Sequence, residues 1–290
     1  MQLKKLTRPG IFSYAAQRTI LKSPLRGWIA SFLAKGRPRF PAAPDPKVSA
    51  AVSDLNTHGI YLMQNYLDSD RIEKIKQAVA SLPLDERFSP QRKNLDLDDM
   101  PADVHVAEYR TSALLQSDTI MEIANDPFLL QTAAQYLGCK PTISNMSVWW
   151  SFPTGGEAQE AENYHRDVDD WRFVKFFLYL TDVDSDSGPH RFVKNSHRSN
   201  RLTNLKRITD EEVSANFPQE DQLEMTGKAG DAFMELTFGL HKGQPPRKHR
   251  RLLLQVEYSI NPVAVYDYSP LKLENFPYDP YVNRLYVTPK

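Results

Sequence analysis

The stretch Asn163–Phe173, NYHRDVDDWRF, places a histidine and three aspartates directly before the apolar run VKFFLYL. His165 and Asp167 are two residues apart, so their side chains point to the same face of an extended chain. We therefore expect them at the mouth of this strand, where both can bind one metal ion. A third ligand from far along the chain would complete one triangular face of an octahedron. Two histidines and one carboxylate with open positions suit iron(II) and oxygen chemistry.

The third ligand is sought among the other histidines of the chain. His241 closes the strand-like run DAFMELTFGL and precedes the turn-rich KGQPPRKH, which places it at the rim of a sheet. His190 and His197 follow a turn close to the site in sequence and are candidates to line it, but a structural role is favoured for each. Structural or solvated positions are expected for the remaining ones: His58, His105 and His249.

An arginine stands near this predicted metal site. Arg251 begins the apolar run RLLLQVEYSI, ten residues after His241. A guanidinium at the mouth of a buried strand needs an anion, and its planar fork matches a carboxylate. An ordinary edge arginine in the basic cluster of residues 247–251 is the alternative. Asp169 is the rival carboxylate ligand, but four residues of straight strand would separate it from His165 by about 13 Å.

Helical patterns come first along the chain and strand patterns follow. Residues 70–81 repeat apolar side chains at helical spacing, and residues 118–138 predict one or two more helices that end at Gly138. From residue 142 onward the chain consists of short runs rich in β-branched and aromatic residues, separated by turn signals. This order predicts an α+β protein with an antiparallel sandwich or jelly-roll core.

Three segments, HRD, FVKFFLYLTDVDSDSGPHRFVKNSH and GLHKGQPPRKHRRLLLQVEY, together resemble the phytanoyl-CoA dioxygenase family of Fe(II)- and 2-oxoglutarate-dependent oxygenases. The resemblance covers roughly residues 50–262. It implies a double-stranded β-helix core, a cupin-like jelly roll, behind N-terminal helices. It also implies that His165, Asp167 and His241 are the catalytic iron ligands, with Fe(II), 2-oxoglutarate and O2 as cofactor and cosubstrates.

The resemblance also assigns cosubstrate contacts. An arginine about ten residues after the distal histidine binds the remote carboxylate of 2-oxoglutarate, and Arg251 fits because it stands seven residues before Tyr258. Arg250, on the opposite face of the strand, is the alternative. Phe177 falls where the family often places a tryptophan against the cosubstrate. Lys175 shares the face of Phe177 and is a candidate to reach a cosubstrate or substrate oxygen.

The predicted function is hydroxylation of an unactivated C–H bond in a small-molecule, lipid-linked or glycan substrate, with release of succinate and CO2. Because Asp167 is present, the halogenating relatives that replace the carboxylate with a small residue are a poorer match. The usual G-S-H of the family is Asn195-Ser196-His197 here, which changes the turn but not the iron site. Two other classes stay open: a non-catalytic jelly roll that binds a ligand or metal, and a cupin-like metalloenzyme without 2-oxoglutarate.

Charged residues are unevenly distributed along the chain of 290 residues, although the net charge is zero. Residues 1–40 hold nine bases and no acid, so the rest holds 27 bases and 36 acids. A helix with an apolar stripe, N-capped by Ser23 and ended by Gly36, precedes the Pro-rich segment 37–47. We therefore divide the chain into a basic amphipathic extension with its linker, 1–47, and an oxygenase domain, 48–290. The extension is interpreted as a helix packed on the domain, as an interfacial helix on an anionic membrane, or as a transit peptide.

Composition also bounds the surroundings of the protein. The single cysteine, Cys139, rules out an internal disulfide and fits a reducing compartment. No run of apolar residues is long enough to span a membrane, and we expect no secretory signal. We expect a cytoplasmic protein, with peripheral membrane contact through residues 1–40 as one interpretation. The acidic body disfavours nucleic acid as a partner, and the oligomeric state is not predicted.

Overall fold

A seven-stranded antiparallel sheet forms the centre of the computed structural model, which describes residues 10–41, 44–89 and 91–289. In spatial order its strands are β1 (Ile60–Met63), β8 (Ala232–Glu235), β5 (Phe173–Tyr179), β10 (Arg251–Ser259), β4 (Thr142–Ser151), β3 (Val106–Tyr109) and β2 (Leu84–Glu86). Every residue of β5 and β10 is buried. Their nearly continuous apolar sequences suit strands that are covered on both faces.

A smaller sheet packs against one face of the large one. Its antiparallel strands are β7 (Gln222–Met225), β6 (His190–Val193) and β9 (His241–Gly243). Aromatic and aliphatic side chains from both sheets meet between them, including Phe192 and Met225 from the small sheet and Phe177, Phe233 and Leu253 from the large one. A separate parallel pair joins β11 (Leu271–Leu273) to β12 (Val287–Pro289).

Most of the helices pack on the other side of the large sheet. The helices are α1 (Ile11–Thr19), α2 (Ser23–Lys35), α3 (Pro46–His58), α4 (Ser69–Val79), α5 (Thr111–Leu114), α6 (Asp118–Ala124), α7 (Pro127–Leu137), α8 (Asp210–Asn216) and α9 (Pro280–Asn283), with 3-10 turns at Glu160–Glu162, Ser196–Arg198 and Gln219–Asp221. Val213 of α8 packs instead with Val193 and Leu240, on the side of the small sheet. The predicted helix at 70–81 is confirmed as α4. The segment 118–138 forms α6 and α7, and Gly138 ends it with a left-handed φ of 79°.

The N-terminal helices α1 and α2 lie against the body of the protein. Arg26 of α2 is buried, and its guanidinium donates to the carbonyl oxygens of Gln17 at 2.8 Å, Ile20 at 3.2 Å and Asp170 at 2.6 Å. Small residues on the same helix, Ala30 and Ala34, are also buried. Packing of α2 therefore depends on a buried arginine and two alanines.

The predicted extension differs from the structure at the start of α2. Ser23 was expected as the N-cap of α2, but this was wrong: the cap position is Lys22, and no side chain caps the helix. Residues 1–9, which include three of its bases, and residues 42–43 of the linker lie outside the described residues. The domain division at residue 47 stays a prediction. Among the described helices, none combines the length and apolar character that crossing a bilayer requires.

Replacing Arg26 with methionine should lower the free energy of unfolding by about 2–3 kcal/mol, because three carbonyl oxygens lose a charged donor. Urea denaturation would measure this change. The matched control is Arg18→Met, since Arg18 is exposed on the neighbouring helix; it should cost well under about 1 kcal/mol. Equal stabilities of the two variants would contradict the anchoring role of Arg26.

Candidate active site

Three predicted ligands meet in one place. Nε2 of His165 lies 3.5 Å from one carboxylate oxygen of Asp167, and Nε2 of His241 lies 3.4 Å from the other. The two imidazole rings are 4.2 Å apart between centroids. One ligand atom from each residue falls within 4.8 Å of the others. This donor set of two nitrogens and one carboxylate is the facial arrangement that suits a divalent metal with open positions.

Backbone carbonyls orient both imidazoles. Nδ1 of His165 donates to the carbonyl of Asn163 at 2.9 Å, and Nδ1 of His241 donates to the carbonyl of Gly239 at 3.0 Å. A carbonyl only accepts, so each Nδ1 carries the hydrogen and each Nε2 presents its lone pair to the site. Such partners commonly fix the tautomer of a metal-binding histidine. Burial also lowers the pKa of His241, which favours its neutral, ligating form.

The sequence placed His165 and Asp167 at the mouth of a strand, and this needs correction. β5 begins only at Phe173, and residues 166–172 form no regular strand. His165 instead forms an antiparallel bridge with His241, with backbone hydrogen bonds of 3.0 and 3.1 Å. The backbone N–H of Asp167 donates to the carbonyl of Thr237 at 2.9 Å. His165 and Asp167 are therefore brought to His241 by backbone pairing at the edge of the small sheet, not by β5.

Arg166, the middle residue of the H-x-D motif, was not singled out from the sequence. Its buried guanidinium donates to the carbonyl oxygens of Ser196, Arg201, Leu202 and Phe238 at 2.6–3.1 Å. It thus ties the ligand segment to the loop after β6 and to the loop before β9. The sequence did contain an indication of this role. In an extended chain a residue between two ligands points to the opposite face, so Arg166 could be expected to point away from the metal site.

Lys175 contacts acidic side chains of its own chain. Its Nζ lies 2.7 Å from Asp167, 2.9 Å from Asp169 and 3.5 Å from Glu257. Burial alone would raise the pKa of the Asp167 carboxyl, but Lys175 and His241 together hold this pKa well below its usual range. Asp167 therefore stays ionised, as a metal ligand must be. Contact of Lys175 with a cosubstrate or substrate oxygen stays a prediction.

The two candidate arginines point to different surroundings. Arg251 is buried and lines the cavity beside the ligands; its Nη2 donates to Ser151 Oγ at 3.2 Å, while Nε and Nη1 have no hydrogen-bond partner among the described residues. Arg250 is exposed and lies over the ring of Trp150 at 4.8 Å. A buried guanidinium with unpartnered nitrogens fits the remote carboxylate of 2-oxoglutarate. Phe177 lines the same cavity.

His190 also lines this cavity, although the sequence favoured a structural role for it. Its ring packs against Phe177 at 5.2 Å and against His241 at 5.7 Å between centroids. Burial lowers the pKa of His190 to about 3 and raises the pKa of Glu235 to about 8. The Glu235 carboxyl therefore keeps its proton at neutral pH and donates it to His190 Nε2 over 2.9 Å. Nothing local in the sequence indicates this pair.

The other predicted positions lie outside the ligand set. Asp169 is held by Lys175, and the metal-competent group found among the described residues contains only Asp167 as its carboxylate. His105 pairs with Glu162 at 2.8 Å. His197 contacts the carbonyl of Asn56 at 3.3 Å, as expected for structural residues. The solvated position expected for His249 is also found.

The ligands and Arg251 share a cavity of about 260 Å³. A second, larger groove of about 510 Å³ adjoins it. Arg87, Asn145 and Tyr266 line both spaces. The metal site therefore lies in a small chamber that continues into a larger groove.

A family model described as phytanoyl-CoA dioxygenase (PhyH) matches residues 55–244, well over half of the chain. The chain belongs to the phytanoyl-CoA dioxygenase family. The family resemblance inferred from the sequence is confirmed, and with it the class of Fe(II)- and 2-oxoglutarate-dependent oxygenases. A comparison of the sequence with curated proteins finds no match.

Solved structures with a similar fold accompany this family assignment. EctD from S. alaskensis with bound Fe is 16% identical, covering 88% of this chain and 94% of its own, with a TM-score of 0.57. The epimerase SnoN in complex with Fe3+, alpha ketoglutarate and nogalamycin RO is 16% identical over 74% and 84%, with a TM-score of 0.53. HygX from Streptomyces hygroscopicus with nickel, 2-oxoglutarate and hygromycin B bound is 15% identical over 77% and 90%, with a TM-score of 0.51. The predicted α+β jelly-roll fold is thereby confirmed for this member of the phytanoyl-CoA dioxygenase family.

Alanine at His165 or His241 should weaken binding of a divalent metal by more than about 100-fold, because even the outer partners of a ligand are worth roughly 10–100-fold. Calorimetric titration with Co(II) under anaerobic conditions would measure the affinity. His249→Ala removes an exposed imidazole and should bind metal like the unaltered protein. Retained affinity in both ligand variants would disprove the ligand set.

The raised pKa of Glu235 predicts a pH dependence of stability. A carboxyl with a folded-state pKa of about 8 and an ordinary value of 4.5 stabilises the fold below pH 4.5, and this contribution is lost as the pH rises through 8. From pH 5 to pH 8 the unaltered protein should therefore lose about 3–4 kcal/mol more unfolding free energy than Glu235→Gln. Urea denaturation with a chelator present tests this. Parallel pH profiles would mean that the carboxyl is ionised.

Proposed function

We propose that this protein hydroxylates an unactivated C–H bond of a small-molecule, lipid-linked or glycan substrate, using Fe(II), 2-oxoglutarate and O2. The observation that carries the proposal is that His165, Asp167 and His241 share one cavity with Arg251. This arginine is buried, and its Nε and Nη1 have no hydrogen-bond partner among the described residues. In the balanced reaction the substrate R–H, O2 and 2-oxoglutarate become R–OH, succinate and CO2. A metal bound by the three ligands, with an anionic cosubstrate beside it, would account for both the ligand set and the buried arginine.

Each residue has a defined part in this proposal. His165, Asp167 and His241 would hold the iron, which together with 2-oxoglutarate supplies the activation of O2. Arg251 would pair with the remote carboxylate of 2-oxoglutarate, and Phe177 would pack against the cosubstrate. The work of the protein is to orient the reactants and to exclude water from the reactive centre.

Lys175 is proposed to orient the carboxylate ligand as well. Its Nζ lies 2.7 Å from Asp167 Oδ2, a contact that would fix the direction of this ligand oxygen. A role toward a cosubstrate or substrate oxygen is compatible, since Lys175 also lines the cavity. Its position near the ligand supports both contacts.

The larger groove is proposed to hold the part of the substrate that does not react. Four tyrosines contribute to its lining: Tyr109, Tyr266, Tyr268 and Tyr286. Aromatic faces among polar groups suit a substrate with ring and hydroxyl character. SnoN and HygX, which share the fold, are described with nogalamycin RO and hygromycin B, so small molecules of considerable size fit comparable proteins.

Hydroxylation is proposed over halogenation because Asp167 is retained as a ligand. SnoN is described as an epimerase, so the fold alone does not define the fate of the substrate carbon. Incorporation of oxygen from labelled O2 into product distinguishes hydroxylation from epimerisation or ring closure. A buried, free Cys139 supports the proposal of a reducing, cytoplasmic location.

Conversion of 2-oxoglutarate to succinate is the first test. Anaerobically purified protein, supplied with Fe(II), ascorbate and air, should produce succinate without added substrate, whereas His165→Ala should not. If uncoupled turnover is too slow to see, anaerobic Fe(II) and 2-oxoglutarate should still give a charge-transfer absorption band. Absence of both signals would favour the non-catalytic or other-metal alternatives.

The cosubstrate assignment has its own matched pair of variants. Arg251→Ala should raise the 2-oxoglutarate concentration for half-maximal signal by about tenfold or more, since a charged hydrogen bond is worth about 1.5–3 kcal/mol. Arg250→Ala removes the exposed neighbour and should change it little. The reverse pattern would show that Arg250 binds the carboxylate.

A further inference from the structure

One side of α2 presents large apolar side chains to the outside of the protein. Leu25 is 48% exposed, Trp28 69% and Phe32 67%. Their spacing of three and four residues places them on one face of the helix. The rings of Trp28 and Phe32 are stacked, with centroids 6.2 Å apart. We call these three residues the α2 face.

The outward direction of this face is imposed by contacts on the opposite side of the helix. Arg26 is buried, with its guanidinium 4.4 Å from the ring centroid of Phe238 and 5.4 Å from that of Trp171. Arg172 also reaches the helix, since its Nη2 donates to the carbonyl of Gly27 at 3.0 Å. The helix cannot turn its aromatic residues inward without breaking these contacts.

Exposed apolar residues are concentrated in this part of the molecule. Among the described residues, the exposed large hydrophobic side chains are Phe12, Leu25, Trp28, Phe32, Leu62 and Tyr266. Four of these six belong to α1 and α2. Single exposed apolar residues are ordinary, but such a grouping usually marks an interaction surface.

Charge identifies the kind of partner. The exposed side chains of the same segment include five bases: Arg18, Lys22, Lys35, Arg37 and Arg39. No acid occurs from residue 1 to residue 44. A second copy of the chain would place like charges opposite one another in a symmetric contact, whereas an anionic surface would attract them. Tryptophan and phenylalanine between bases are the composition of helices that lie in a lipid interface.

We propose that the α2 face docks on an anionic lipid bilayer. Trp28 and Phe32 enter the boundary between head groups and acyl chains, and Lys22 and Lys35 lie near the lipid phosphates. The docking surface is independent of the metal site, so it goes beyond the proposed hydroxylation. It gives the protein reversible, peripheral contact with a membrane through a helix that lies on the surface.

Vesicle binding by the full chain tests this directly. The probes are phosphatidylcholine vesicles with about 30% phosphatidylglycerol, and vesicles of phosphatidylcholine alone. Trp149, Trp150 and Trp171 are at most 9% exposed, so a shift of tryptophan emission to shorter wavelength reports mainly on Trp28. We expect sedimentation with the anionic vesicles, an emission shift on binding, and weaker binding at high salt.

Variants separate the contributions. Trp28→Ser with Phe32→Ser should lower binding to anionic vesicles by about tenfold or more, and Lys22→Glu with Lys35→Glu should lower it similarly. The matched control is Leu62→Ser, because Leu62 is 54% exposed on β1 and lies outside this surface. The control should bind vesicles like the unaltered chain.

Two results would overturn the inference. One is failure of the unaltered chain to bind anionic vesicles. The other is unchanged binding by the aromatic double variant. A dimer in light scattering that the aromatic variant converts to a monomer, without vesicle binding, would assign the face to a second copy instead. Succinate formation by the same proteins is measured separately, so loss of membrane binding is distinguishable from failure of the proposed enzymatic function.

Discussion

The antiparallel bridge between His165 and His241 is the contact on which the site depends. Each backbone N–H donates to the carbonyl of the other residue, which joins two segments that are far apart in sequence. Residues paired in this way project their side chains to the same side of a sheet. Both imidazoles therefore face the cavity, and a slip of one residue in this pairing would turn one of them away. The register of the small sheet thus determines whether a metal can bind.

The opposite side of the ligand segment is held by cationic side chains. Arg166 binds four carbonyl oxygens behind the ligands. Its guanidinium lies 5.6 Å from the ring centroid of Phe238, and the guanidinium of Arg26 lies 4.4 Å from the same centroid. The Asp170 carboxylate accepts from Gln17 and from Asn261. The N-terminal helices therefore support the loop that carries the ligands, and their anchored orientation also exposes the α2 face.

Local patterns in the sequence predicted a large part of this arrangement. Helical spacing was sufficient for α4 and α7, and the β-rich runs after residue 142 were sufficient for β4, β5, β8 and β10 of the large sheet. The strands β1, β2 and β3 of the same sheet precede residue 142 and were not predicted, because they are short and lie between helices. The position of His241 at a sheet rim singled it out as the distal histidine. The spacing of apolar residues in α2 did not show which side of the helix packs on the protein, because the charged residue Arg26 is buried on that side. The pair of Glu235 and His190 was equally hidden, since its members lie on different strands and meet only through tertiary packing.

Spacing favoured Asp167 over Asp169 as the ligand, and the surrounding charges give the physical reason. Lys175 is the nearest ammonium to both aspartates and to Glu257. Burial, followed by the charge of Asp169, raises the pKa of Glu257 well above its usual range, so this carboxyl holds a proton. The pKa of Asp167 is held low instead, and its backbone N–H is tied to the small sheet. Neighbouring carboxyls whose pKa values are shifted in opposite directions can serve different functions. The ionised Asp167 is available to a metal, whereas the protonated Glu257 limits the negative charge that Lys175 must balance.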